Sequence, residues 1–258
     1  MKNLGALPTI VASLILIPCC LAAEEQSHIV DLSHELFEGI PTFPGGASFR
    51  AEPIATIEQA GYFANRLELG EHTGTHVDAP IHFQPDALSV NALLPTQLVG
   101  PGVLLSIASK AAANPDATVS LADVMQWEQT NGPIPARSFV LIQTGWSTRW
   151  PDETAYRNAD EKGIMHFPGL AEEAAVALLA RDINGVGIDT LSIDPGTSTS
   201  FASHKLLAEA NIIVIENLAN LEQLPMRGFT VVVAPLKIRG GSGSPARVLA
   251  ILEHDRDD

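Results

Sequence analysis

Four short apolar runs narrow the folds open to this chain. They are "GPGVLLSIAS" (residues 100–109), "SFVLIQTGW" (138–146), "GVGIDTLSID" (185–194) and "IIVIENL" (212–218). Each lies between Gly, Pro, Asn or Asp residues, the pattern of a strand covered on both faces. Helical spacing fills the gaps between them. "SLADVMQWEQ" offers Ser120 as an N-cap. "GLAEEAAVALLARD" puts Leu170, Ala174, Ala177 and Leu178 on one face and stops before Asn184-Gly185. "HKLLAEAN" is a third, shorter helix. Buried strands interleaved with helices predict an α/β domain with a covered sheet.

The flanking segments extend this pattern. "HIVDLSHEL", "RAEPIATIE" and "ANRLELGEH" read as strands before the first apolar run, and "FTVVVAPLKI" and "ARVLAIL" as strands after the last. "EGIPTFPGGASF" is loop. No repeat or linker interrupts the chain, so residues 24–258 form one domain. Residues 1–23 differ. Lys2, an apolar run and Leu21-Ala22-Ala23 before Glu24 have the layout of a secretory signal peptide. A retained membrane anchor and a lipidated Cys19 or Cys20 are the alternatives. Cleavage predicts an exported protein, periplasmic or secreted, with no stable insertion in the membrane. Both cysteines fall in the leader. The mature chain then has neither disulfide nor thiolate, and its metal ligands are confined to nitrogen and oxygen. A net charge of −15 excludes nucleic acid as a partner, because phosphate binding needs a basic surface.

Of eight histidines, three fall in "HTGTHVDAPIHF", residues 72–83. His72, His76, Asp78 and His82 are spaced four, two and four apart. Gly74 and Pro80 oppose a helix, so the stretch is expected to be a loop wrapped around a cation. The alternative is a polar surface loop. Imidazole and carboxylate without thiolate suit manganese, zinc or iron. Such an ion lowers the pKa of a bound water towards about 7 and makes hydroxide available at neutral pH. Glu216 closes an apolar strand run, where an unpartnered carboxylate is costly. A cation would resolve that cost, and so would a Lys or Arg.

This stretch resembles the signature of the cyclase family of metal-dependent hydrolases, which includes bacterial kynurenine formamidases and isatin hydrolases. "VDLSHELFEGIPTFPG" is similar to the family's opening segment and "GGSGSPARVLAIL" to its end. "GVGIDTLSIDPGTSTSFASHKLLAEANIIVIENLANLEQLP" resembles its second half, in the isatin-hydrolase branch more than the formamidases. The resemblance implies a layered β/β/α sandwich of the kynurenine formamidase type, swivelling-domain-like, and a homo-oligomer. It implies His72, His76 and Asp78 as metal ligands, with His204 and Glu216 as further ligands, for one or two ions of manganese or zinc. His82 matches the acid/base histidine. The implied reaction is cleavage of a C–N amide bond by metal-bound hydroxide.

The favoured substrate is an isatin-like cyclic amide, a small aromatic molecule met outside the cytoplasm. N-formylkynurenine is the alternative, and a polyketide-type cyclisation a third. Phe43 stands where the formamidases carry a substrate-contacting tryptophan, and keeps an aromatic wall there. His166, in "MHFPGL", is a second candidate for substrate contact. His34 reads as structural, and Asp189 and Asp194 as turn residues. "RGGSGSP" lacks the Gly-Lys-Ser/Thr ending of a phosphate loop, and no G-x-S-x-G elbow is present. The rival outside enzymology is a periplasmic metal-binding protein, which would have no use for His82. A two-ion site further requires His204 and Glu216 within about 6 Å of the His72–Asp78 cluster.

Overall fold

The four apolar runs become the parallel heart of one sheet. In this computed structural model, which describes residues 29–253, twelve strands and six α-helices follow in order. They are β1 (Ile29–Asp31), β2 (Arg50–Ala55), α1 (Ile57–Ala60), β3 (Ala64–Glu68), β4 (His76–Asp78), β5 (Val99–Ser106) and α2 (Ala108–Ala113). Next come β6 (Thr118–Val119), α3 (Leu121–Asn131), β7 (Phe139–Gln143), α4 (Glu153–Arg157), β8 (Gly169–Leu170) and α5 (Glu172–Leu179). The chain closes with β9 (Gly185–Ile188), α6 (Ala202–Glu209), β10 (Ile213–Glu216), β11 (Phe229–Pro235) and β12 (Gly243–Leu252). The signal-peptide segment, His28 and His254 lie outside the described residues. Among the described residues no helix is long and apolar enough to cross a membrane.

Strands β5, β7, β9 and β10 run parallel, and β1, β12, β11 and β4 extend the sheet antiparallel. The order is β1-β12-β11-β5-β7-β9-β10-β4, and β4 also pairs with β12. That last pairing closes the sheet on itself. It is possible because β12 is long: residues 246–252 follow β11, while Gly243, Ser244 and Pro245 run beside β4. The expected fold therefore holds in its α/β class but not in its layering. In place of stacked β layers there is one mixed, barrel-like sheet with helices outside it.

Period-two alternation sorts the strand residues between two cores. Leu104, Phe139, Leu141, Ile213, Ile215 and Val231 face the enclosed side. Val103, Leu105, Val140, Ile142, Val186, Ile188 and Val214 face outwards, against Val124 and Trp127 of α3, Leu178 of α5 and Leu207 of α6. Helix α3 starts as its sequence predicts. Ser120 Oγ accepts from Asp123 N–H at 3.3 Å, and Asp123 returns the bond by accepting from Ser120 N–H at 2.7 Å.

The enclosed core is packed tightly enough to exclude a methyl group at some positions. A Cβ on Gly102 of β5 would lie 2.0 Å from the Phe229 ring, itself 1% exposed. Gly102→Ala should therefore cost about 1–3 kcal/mol of stability through overpacking. Urea denaturation would measure it, and an unchanged midpoint would refute the packing argument.

Candidate metal centre

The antiparallel pairing of β4 and β10 assembles the centre. Glu216 lies opposite His76, and Val214 opposite Asp78. Paired residues share a face, and Val214 faces the helices. His76, Asp78 and Glu216 therefore project together under α6, while Val77 and Ile215 point into the enclosed core. Helix α6 then brings His204 down onto them. The stretch expected to be a loop is thus a strand at its centre, because backbone pairing on both edges overrides the Gly and Pro that flank it.

Four side chains converge there, each at most 5% exposed: His76, Asp78, His204 and Glu216. His204 Nε2 lies 3.2 Å from Asp78 Oδ2 and 3.0 Å from Glu216 Oε1. His76 Nε2 lies 3.3 Å from Asp78 Oδ1 and 3.4 Å from Glu216 Oε2. Half-buried His72 places Nδ1 2.6 Å from Asp78 Oδ1. His204 and Glu216 therefore meet the distance that a two-ion site requires. Two ligand groups share Asp78: His76, Asp78 and Glu216, and His72, Asp78 and His82.

The imidazole orientations suit a cation. His76 Nδ1 donates to the Gly74 carbonyl at 2.8 Å, and its buried Nε2 has no hydrogen-bond partner. Gly74 adopts φ +65°, and a Cβ there would meet Leu36 at 2.3 Å. The Ser242 hydroxyl donates to Glu71 at 2.6 Å, so it accepts from His72 Nε2 at 3.0 Å and leaves Nδ1 on the carboxylate side. Burial alone would lower the pKa of His76, but Asp78 and Glu216 outweigh it and raise it to about 10. Burial likewise opposes ionisation of Asp78, yet His204, His72 and His76 hold its carboxyl well below the usual range. Two buried carboxylates thus draw positive charge into the site, which protons on imidazoles or a divalent ion can supply.

Asp194 holds this arrangement from behind. Its carboxylate accepts from the backbone N–H groups of Ser203 (3.0 Å) and His204 (3.1 Å), capping α6. The same group meets His204 Nδ1 at 2.6 Å and so turns Nε2 towards Asp78 and Glu216. With capping supplied by Asp194, the residue at the N-cap position is free of that duty. It is Phe201, in the left-handed conformation at φ 51° and ψ 47°, which costs an L-residue roughly 1–2 kcal/mol.

His82 is exposed and lies outside the lining of the cavity over the centre, its ring stacked 4.0 Å from that of His72; desolvation lowers its pKa. Phe43 lines the cavity over the centre, together with Phe201, Leu191 and Ser192. His166 does not join them. Its Nδ1 is paired with Asp116 at 2.9 Å and it lines no part of this cavity, so the substrate contact expected of it finds no counterpart here. The sequence reading took Asp194 for a turn residue, whereas it caps α6 and holds His204, and it did not single out Phe201, Ser242 or Asn217. Asn217 donates to the Gly74 carbonyl at 2.9 Å and steadies the turn before His76. A signal for Asp194 existed: it precedes the His204 helix by one loop, within reach of its free N–H groups.

Residues 30–195 match the family described as "Putative cyclase". The chain belongs to the cyclase family. An isatin hydrolase of Roseibium aggregatum is 37% identical over 205 residues, which span 74% of this chain and 76% of that protein. The solved isatin hydrolase A from Ralstonia solanacearum has a TM-score of 0.82 at 36% identity, covering 87% of this chain and 92% of that one. A kynurenine formamidase of Paracidovorax citrulli is 26% identical over 220 residues, 85% of this chain and 94% of its own length.

Removing the Asp194 carboxylate should separate its two duties. Asp194→Ala should cost about 1–2 kcal/mol in urea denaturation through the lost cap. It should also weaken metal affinity about 10- to 100-fold in a chelator competition. Asp194→Asn, which can still accept from the helix, should keep most of the stability and still lose affinity. Equal metal affinity in all three proteins would refute the orienting role.

Proposed function

We propose that this cyclase-family protein is a metal-dependent amidohydrolase that opens an isatin-like aromatic cyclic amide at its C–N bond. The observation that carries the reading is the convergence of two buried carboxylates, Asp78 and Glu216, on imidazoles whose free nitrogens have no other task. The isatin hydrolase relatives support the substrate class, and the more distant formamidases support N-formylkynurenine less strongly.

His72, His76, Asp78, His204 and Glu216 would hold one or two divalent ions, and manganese and zinc both suit this donor set. Such an ion supplies Lewis acidity towards a carbonyl oxygen and makes water acidic enough to attack at neutral pH. The protein does the rest. Phe43 and Phe201 offer apolar walls to a planar ring. His82, stacked on His72, would take a proton from the attacking water and return one to the leaving nitrogen. The balance is simple: the water oxygen bonds to the carbonyl carbon, the C–N bond breaks, and the product is an amine with a carboxylate. The leader sequence supports export, and the family resemblance supports a homo-oligomer. The charge of −15 disfavours nucleic acid.

The test uses protein stripped with chelator and reloaded separately with manganese and zinc. Isatin opening, followed by absorbance, should return with metal and exceed turnover of N-formylkynurenine. His82→Ala should retain the ion held by His76, Asp78, His204 and Glu216 and lose about 10²–10⁴-fold in kcat. Metal binding with no turnover of either amide would sink the proposed substrate class. An active His82→Ala variant would remove the acid/base role and leave the hydrolase reading to the metal ligands alone.

A further inference from the structure

The cavity over the metal centre measures about 80 Å³. Clefts that enclose a drug-sized ligand run to roughly 300–1,000 Å³. What narrows it is a pair of aromatic rings. Phe43 and Phe201 approach to 6.2 Å between centroids, tilted by 56°. Phe43 comes from the Pro- and Gly-rich loop, anchored where Arg157 Nε donates to the Thr42 carbonyl at 2.6 Å. Phe201 comes from the start of α6, two residues before Ser203 and three before His204.

Phe201 is in an expensive position. A bulky side chain at positive φ is rare, and left-handed backbone suits Gly or Asn far better. The hydrophobic cores do not ask for a phenyl ring there: Phe201 is half-buried, belongs to none of the three hydrophobic clusters, and has the rings of Phe43, Phe83 and His204 as its aromatic neighbours. Nor does capping require it, since Asp194 serves the helix N–H groups. The conformation instead sets the ring beside the reacting centre, 6.1 Å from His204 and 5.5 Å from Phe83. Strain that the hydrophobic cores do not require, at a ring over the candidate site, is a mark of function.

We propose that Phe201 is a specificity-determining residue: its strained backbone fixes an aromatic wall, opposite Phe43, against which the planar ring of an aromatic amide lies. This rests on the reading of the site as an aromatic-amide hydrolase. A ring held by backbone geometry does not have to be ordered when substrate enters, so its contact is gained at little entropic cost.

The test compares wild type, Phe201→Leu, Phe201→Tyr and Phe201→Asn, all loaded with the same metal. Isatin is the aromatic probe and succinimide the saturated one. Phe201→Leu should raise KM for isatin about 3- to 10-fold, the worth of an aromatic contact, with a smaller change in kcat. Succinimide should respond less, and Phe201→Tyr should restore the isatin KM. Phe201→Asn fits the left-handed backbone, so it should lose isatin affinity while its Tm stays within about 4 °C of wild type. Equal KM changes for both probes, or none, would overturn the proposal. If wild type hydrolyses neither probe, the substrate reading fails by itself. Calorimetric binding of isatin then decides about Phe201: a 3- to 10-fold loss in Phe201→Leu supports the wall, while equal or absent binding removes it.

Discussion

The register between β4 and β10 is the constraint on which this structure turns. Glu216 faces His76 across it, and Asp78 faces Val214. A slip of one residue would exchange the faces of every side chain on the strand. His76 and Asp78 would then enter the enclosed core, and Val77 would sit under α6. Burial of an unpaired carboxylate costs several kcal/mol even after relaxation, so that arrangement is strongly disfavoured. The apolar residues Val77, Ile213 and Ile215 secure the same register from the other side, each fully buried. Fold and centre are thus specified by one alternation rather than by separate devices.

Closure of the sheet adds rigidity to that register. A three-residue strand such as β4 would fray at an open edge, but here both its edges are hydrogen-bonded, to β10 and to β12. The neighbouring backbone is tied in as well. Ala79 N–H donates to the Ser242 carbonyl at 2.9 Å, and Thr75 Oγ1 donates to the Asn217 carbonyl at 2.6 Å. The candidate ligand atoms are therefore held on the sheet itself, with only His204 on a helix and His72 on a loop. Each of these two has its own support, Asp194 for the first and Ser242 with Glu71 for the second.

Much of this was legible in the chain, for identifiable reasons. The buried strands show as apolar runs because covered sheets leave no polar face to mark. The His72–Asp78 cluster shows because three titratable residues in seven positions have no use in a core. Glu216 shows because a carboxylate that ends an apolar strand needs a partner. Other features were hidden by their nature. Strand β4 is too short for periodicity, and Thr73-Gly74-Thr75 and Pro80 disguise it as loop. Ring closure depends on the pairing of "GSP", at the start of β12, with β4, and that stretch reads as a turn. Phe201 occupies a helix start whose cap, Asp194, comes from the preceding loop, so the residue at the N-cap position gives no sign of its role. His166 drew attention as a histidine in a loop, yet loop position does not distinguish a substrate contact from an ion pair with Asp116.

The division of labour between sheet and loops bears on substrate choice. Four of the five candidate ligands, His76, Asp78, His204 and Glu216, are buried with their polar atoms 3.0–3.4 Å apart. Their geometry can hardly vary without disturbing the register, so the centre itself is a poor place to distinguish one amide from another. The cavity walls are freer. Phe43 and Phe201 stand on segments that carry no ladder hydrogen bonds, and neither belongs to a core cluster. A change at either wall alters what can lie over the centre and leaves the centre intact. On this architecture the bond that is broken follows from β4, β10 and α6. The proposed selection of the ring that carries the bond falls to two aromatic side chains outside the sheet, Phe43 and Phe201.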